Sequence, residues 1–263
     1  MKDSITQSNP NNRISRTLKA VLLPALFWLG AWQLVSMYVG RELLVASPGR
    51  VFAILLSEIQ TSLFWRTIFT SILRITAGFL LAVALAVPAA MLTSRFEIPR
   101  MLLSPVISIV RATPVASFIL FLLIWCKNTH VPSIITFLMV FPIVWTAVTK
   151  GIDTMDRDLI EVGRVFRLDS WHMLKDIYAP QVAPFFMQSV ITSLGLAWKS
   201  GIAAEVLCTP NYSIGKMIYN ARVYLETPQL FAWTLTVIAL SMLLEALIVF
   251  LLGKLGYEKE DRT

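Results

Sequence analysis

The chain has 263 residues, 56% hydrophobic and only 15% charged, with a formal net charge of +7 and a mean hydropathy of +0.69. A soluble domain carries about 25% charged residues, so this chain lacks the polar groups to cover a water-facing surface. With 11 Gly, 13 Pro, 2 Cys and no heptad or Gly-X-Y period, disorder, collagen, coiled coil and a disulfide scaffold are excluded, which leaves a polytopic membrane protein.

Residues 1–19 form an N-terminal tail with Lys2, Arg13, Arg16 and Lys19, and 20–40 are free of charge. That run of 21 residues exceeds a secretory h-region and no small-x-small cleavage site follows, so an uncleaved first span is expected. In 41–66, Ser47-Pro48 resembles an N-cap with proline at the first helical position. Phe52, Leu55, Leu56, Ile59 and Leu63 follow at helical spacing, with Ser57, Glu58, Gln60 and Thr61 opposite. This predicts an amphipathic outer helix over about 48–64, lying on the bilayer or bundle or receiving a partner on the outer face. Residues 75–94 are charge-free, 101–126 carry only Arg111, and 128–149 carry none. Each run reaches the about 20 residues a helix needs to cross the hydrocarbon core. The run FLLAVALAVPAAML lacks the alternation of a barrel strand.

Residues 150–176 differ in kind, with eleven charged residues in 27. Leu159, Val162, Val165, Phe166, Leu168, Trp171, Met173 and Leu174 sit among them. Two short helices are predicted, about 156–166 and 170–179, broken near Leu168-Asp169-Ser170, with Asp169 or Ser170 capping the second. A solvated loop has no need of such apolar side chains, and apolar groups ringed by charge mark a protein contact. Residues 177–198, continuing to about Leu207, form a fifth span. In 208–226, Asn211, Ser213 and Gly215 are turn residues ahead of Met217-Ile218-Tyr219, and Thr227-Pro228 is expected to cap a sixth span, 227–253, which carries only Glu245. The reading is an all-α domain of six transmembrane helices over 20–253, with a tail at 254–263.

Fourteen of the 23 basic residues fall in segments that are internal if the N-terminus is internal, and six fall in the external ones. This bias predicts both termini in the cytoplasm and leaves no basic face for nucleic acid.

No G-x-x-x-x-G-K-[ST] loop occurs, so the chain is expected to hold no ATP site, and neither His130 nor His172 lies in a metal or catalytic motif. No metal, bound cofactor or enzymatic activity is expected. Cys126 and Cys208 read as structural thiols, with a disulfide as the alternative.

Charges at membrane depth face the protein interior or a watery path. Arg111, Lys199 and Glu205 qualify, with Glu245 a fourth. Lys199 and Glu205 are six residues apart and do not share a helix face, so each needs a partner elsewhere. One reading pairs them internally, for example Arg111 with Glu205. The other has Arg111 and Lys199 give a path for an anionic substrate a positive potential. Arg111, Thr113, Lys199 and Glu205 are the candidate pathway residues. Ser193, Ala197 and Gly201 recur every four residues, which allows close helix approach.

The segment from Glu161 to Pro180 resembles the EAA loop of membrane subunits of binding-protein-dependent ABC importers: E-A-A, three residues, G, nine residues, I-x-L-P. Glu161, Ile177 and Pro180 fit, and Gly163 replaces the second alanine with another small residue; Arg167 stands where glycine is usual and Ala179 where leucine is usual. Arginine resists the left-handed turn that glycine accepts, so the break is expected at Leu168-Asp169 or in a different shape. The segments SPGRVF, SILRITAGFLLA, RATPVASFIL and GLAWKSGIAAEVL are similar to the nitrate/taurine/sulfonate class of these permeases. The usual W-F-G after the third span reads Trp125-Cys126-Lys127.

The resemblance implies the type I importer permease fold in the bacterial cytoplasmic membrane. It implies a second copy of the chain, two cytoplasmic ATPase subunits that use ATP-Mg, and an external solute-binding protein. The 150–180 loop would then be the coupling segment, through Glu161, Gly163, Phe166, Arg167, Leu168, Asp169, Trp171, Ile177 and Pro180. An ion-coupled secondary transporter is the main alternative and a membrane-embedded enzyme the third.

Overall fold

The computed structural model describes the backbone of residues 10–254 and the side chains of residues 22–250. All regular structure among them is helical: α1 (Pro10–Val39), α2 (Pro48–Ile59), α3 (Ser62–Arg95), α4 (Glu97–Ala112), α5 (Val115–Trp125), α6 (Val131–Asp153), α7 (Arg157–Val165), α8 (Ser170–His172), a π-helical turn (Met173–Tyr178), α9 (Ala179–Cys208), α10 (Ile214–Val223) and α11 (Thr227–Lys254). Five helical stretches are long and apolar enough to cross a membrane, and six if the bent pair α4 and α5 counts as one span. Of the tails expected at 1–19 and 254–263, residues 10–19 are instead the first turns of α1, residue 254 ends α11, and 1–9 and 255–263 lie outside the described residues.

Three boundaries correct the sequence reading. The outer helix expected over 48–64 stops at Ile59, and residues 62–64 open α3, whose N-cap Thr61 accepts from the Phe64 amide at 3.2 Å. Pro48 occupies the first turn of α2 as expected, but Ser47 has the extended N-cap backbone without a side-chain bond. Because α3 begins at Ser62, Arg66 and Arg74 lie inside the helix rather than before it. The third expected span, 101–126, is two helices whose axes differ by 108°. Pro114 explains this: it has no N–H to donate and forces the preceding residue out of the α region, and Thr113 sits at φ −84°, ψ 132°.

The described residues divide into two compact units, one within residues 10–60 and 221–232, the other within 61–220 and 233–254. In the first, the Trp32 indole donates to the Ala46 carbonyl at 2.9 Å and stacks on Phe231 with centroids 5.6 Å apart. Gln229 donates to Glu58 at 2.8 Å. Thr227, expected as a cap, is instead the first residue of α11. Its hydroxyl donates to the Leu43 carbonyl at 2.6 Å, and the Glu226 carbonyl accepts the first helical amides.

In the second unit α6 packs between α3 and α9. Phe79, Ala82, Ala86 and Ala90 recur about once per turn along α3 and meet Val140, Val144 and Val148 of α6 in one core. The crossing is tight because Gly78 has no side chain: a Cβ there would stand 2.2 Å from the Ser133 carbonyl oxygen. Ser193, Ala197 and Gly201 of α9 are all buried, and a Cβ on Gly201 would meet Ile75 at 2.6 Å. The small-residue stripe is a packing surface. Cys126 and Cys208 are free thiols within one apolar cluster that includes Ile119 and Ile135.

Candidate coupling and translocation sites

The charged segment folds as two helical pieces joined by a turn. Asp156 caps α7, accepting from the Asp158 amide at 2.9 Å, and the Asp156 amide donates to Gln181 at 2.7 Å, which ties α7 to α9. Arg100 and Asp153 pair at 2.9 Å, joining α4 to the end of α6. After Val165 the chain makes a Schellman turn. Leu168 N–H donates to the Gly163 carbonyl at 3.0 Å and Arg167 N–H to the Arg164 carbonyl at 3.0 Å. Arg167 itself takes the left-handed conformation, φ +50°. The break is therefore not displaced to Leu168-Asp169: the two Schellman bonds hold an arginine where glycine is the usual residue.

Asp169 then caps the next piece, as expected, accepting from the His172 amide and contacting the His172 ring. That piece is not a uniform α-helix over 170–179. It opens as α8, passes through the π turn and continues into α9, so the segment and the membrane helix are one rod. Gly163 is buried against this rod, and a Cβ there would lie 2.4 Å from Ile177 Cδ1 and 2.5 Å from Met173 Sδ. Only a small residue fits at that position. Pro180 lies inside this continuous rod, two residues past the π turn, where it has no N–H to donate to the preceding turn. Val165 and Phe166 are 79% and 75% exposed, and Trp171 and Leu174 are exposed too, with Glu161, Arg164 and Arg167 open to solvent around them.

Glu205 is fully buried, and its partner is not Arg111. Ser71 donates to it at 2.7 Å, Arg74 approaches at 3.4 Å and the Gly215 amide donates at 3.2 Å. Arg74 also donates to the carbonyls of Asn211 at 2.8 Å and Tyr212 at 3.3 Å. The expected internal pairing of Glu205 thus exists with a different arginine. Glu205 holds α3, α9 and the 209–215 turn together, so its charge is committed within the fold. Thr113 donates its hydroxyl to the Ile109 carbonyl at 2.8 Å, ending α4 at the bend.

Arg111 and Lys199 are exposed, and no hydrogen bond or ion pair is made by either among the described residues. Lys199 shares its face of α9 with Thr192, Leu196 and Ala203, also exposed, away from the buried Ser193–Gly201 stripe. Glu245 is likewise exposed on α11. Sequence reasoning missed Ser71, Arg74 and Gln181. Ser71 and Arg74 are three residues apart on one helix face, a signal visible once α3 is known to start before them.

The chain matches the family described as "Binding-protein-dependent transport system inner membrane component" over residues 78–256. It is 29% identical over 182 residues, 69% of this chain and 74% of the relative, to a protein of Brucella melitensis named, provisionally, as an ABC transporter permease. A Bacillus subtilis protein whose provisional name is aliphatic sulfonates transport permease is 24% identical over 253 residues, 95% of this chain and 90% of the relative. The bicarbonate transport system permease protein of Synechocystis sp. is 24% identical over 240 residues, 84% of each chain. The family match, the apolar helices and the all-α fold agree, and the chain belongs to the inner membrane components of binding-protein-dependent transport systems, as a multi-pass ABC importer permease in the cytoplasmic membrane.

Proposed function

We propose that the chain, paired with a second copy of itself, lines the translocation pathway of an importer for a small anionic solute, with both termini in the cytoplasm. An external binding protein delivers the solute, and two ATPase subunits carrying ATP-Mg drive the cycle. The chain itself binds no cofactor.

The observation that carries this reading is the exposed apolar group of Val165 and Phe166 at the end of α7 and Trp171 at the start of the rod continuous with membrane helix α9, ringed by charge. Such a surface suits a protein groove, and a push on it reaches the bundle through α9 and through the Gly163–Ile177 contact. Glu161, Gly163, Phe166, Arg167, Leu168, Asp169, Trp171, Ile177 and Pro180 form the coupling segment in this reading. Arg111 and Lys199 supply positive potential to the path, beside Thr113 at the bend. The names of the sulfonate and bicarbonate relatives support an anionic solute. Glu205 acts as a structural anchor, which weakens an ion-coupled mechanism through that acid.

Reconstitution into proteoliposomes with the partner ATPase and binding protein tests the reading. Vanadate-sensitive, ATP-dependent uptake is expected. Uptake by this chain alone, driven by a proton gradient, would overturn it.

A further inference from the structure

A cavity of about 570 Å³ opens beside the last turns of α3, between α6 and the π turn leading into α9. Its walls are apolar, including Val87, Val148, Ala183 and Phe186, while Ser94, Arg95 and Tyr178 add polar groups. One of these is unsatisfied: Ser94 Oγ is buried with no hydrogen-bond partner. Arg95 is exposed at the end of α3 and makes no hydrogen bond or ion pair among the described residues. Arg95 is the last residue of a 34-residue helix. At about 1.5 Å per residue that helix is about 51 Å long, well beyond the about 30 Å of a hydrocarbon core. Its final turn therefore reaches headgroup level.

We propose that this cavity is a binding site for an anionic phospholipid, with an acyl chain against Val148, Ala183 and Phe186 and the phosphate on Arg95. The charge pattern selects this occupant. A purely apolar ligand leaves the buried Ser94 hydroxyl unpaired, whereas a headgroup phosphate at the membrane edge can accept from it and from the exposed Arg95 guanidinium. Leu174 and Tyr178 of the π turn also line the cavity, so the lipid bridges α3 and α6 to the base of the 150–180 segment.

Native mass spectrometry of the purified full chain, exchanged into phosphatidylglycerol or phosphatidylcholine, tests the site without any transport assay. Phosphatidylglycerol should be retained in preference to phosphatidylcholine by about fivefold, the discrimination that one basic residue near the surface supplies. Arg95→Gln should abolish that preference, and Ala183→Trp should displace both lipids, with Ala183→Leu as the milder filler if the indole prevents insertion. Equal retention of the two lipids, or a preference that survives Arg95→Gln, overturns the proposal. Cross-linking of Ala183→Cys to a second copy of the chain also overturns it, by showing that protein covers the cavity.

Discussion

Ser71 on α3 donates to Glu205 on α9 at 2.7 Å across 134 positions of chain, and the same hydroxyl oxygen accepts from the Ile214 amide at 2.9 Å. With Arg74, whose side chain is only 12% exposed, this makes one buried knot of two helices and a turn. Removing one member of a buried pair strands the other charge, so Arg74→Met should cost about 3–5 kcal/mol. Ser71→Ala, which removes one bond to the carboxylate, should cost about 1–3 kcal/mol. Thermal unfolding of the purified chain in detergent measures both. The Arg74→Met, Glu205→Gln double variant should lose less than the two single losses combined; simple additivity would show that the groups do not act as a unit.

Arg167 carries φ +50° inside a Schellman turn, a conformation that costs an L-residue about 1–2 kcal/mol and glycine almost nothing. Arg167→Gly should therefore stabilise the turn, and hydrogen exchange of the Leu168 amide, bonded to the Gly163 carbonyl at 3.0 Å, should slow. Arg167→Val should speed it. An unchanged rate in both variants would mean that the turn is not limited by this residue.

At Gly163 the nearest atoms to an added Cβ are Ile177 Cδ1 at 2.4 Å and Met173 Sδ at 2.5 Å, both ends of flexible side chains. Gly163→Ala should be accommodated by rotamer shifts, while Gly163→Leu should push α7 off the rod. Overpacking of this kind costs about 1–3 kcal/mol, and Ile177→Ala should partly rescue it. Glu161→Lys touches no partner among the described residues. It should leave insertion and melting intact while reducing co-purification of the ATPase. Unchanged co-purification and transport would count against the segment as a docking knob.

How far these features could be read from sequence depended on how local their causes were. Charge-free runs marked the apolar spans because burying charge in hydrocarbon is costly, and the helix pair around Asp169 followed from caps and spacing. The bend at Pro114 was visible as a proline but not in its angle, which packing sets. Arg74 marked the edge of a span by its charge, although a partner 131 residues away keeps it inside the helix. No local signal reports a long-range partner. Arg167 shows the same limit in the backbone: propensity argued for moving the turn, and the two Schellman bonds together with the Gly163 contact held it in place.

His172 and Asp169 contact one another at the start of the second helical piece. The hydrogen bond that the His172 ring donates to the Asp169 carboxylate, together with that carboxylate's charge, raises the His172 pKa above the usual histidine value. The bond from His172 holds Asp169 below the usual carboxylate value. The histidine contribution is thus fully present below its ordinary pKa and fades as pH rises through the raised one. The aspartate contribution is present above its ordinary pKa and is lost as pH falls through the lowered one. The cap should be steadiest between those limits. An NMR titration of the His172 ring in the full chain should give a midpoint above about 6.5, and Asp169→Asn should bring it down; a midpoint unmoved by Asp169→Asn would contradict the pairing.

Lys199 lies on the exposed face of α9, beside Thr192, Leu196 and Ala203, while the buried face of the same helix carries Ser193, Ala197, Gly201 and Glu205. Among the described residues nothing pairs with its charge, which leaves it available to the solute or to another chain. Substitutions outside the packed network usually change stability by about 0.5 kcal/mol or less, so Lys199→Ala should melt like the parent chain. Uptake is where the loss should appear. If the ammonium supplies potential to an anion path, Lys199→Arg should retain most transport and Lys199→Ala little. The deficit of Lys199→Ala should also shrink as salt screens the site from the remaining charges. A melting loss with normal uptake would instead make Lys199 a packing or pairing residue of the assembled subunits. Arg111→Ala in the same assay separates the two cations, because Arg111 sits at the bent end of α4 rather than on the α9 rod.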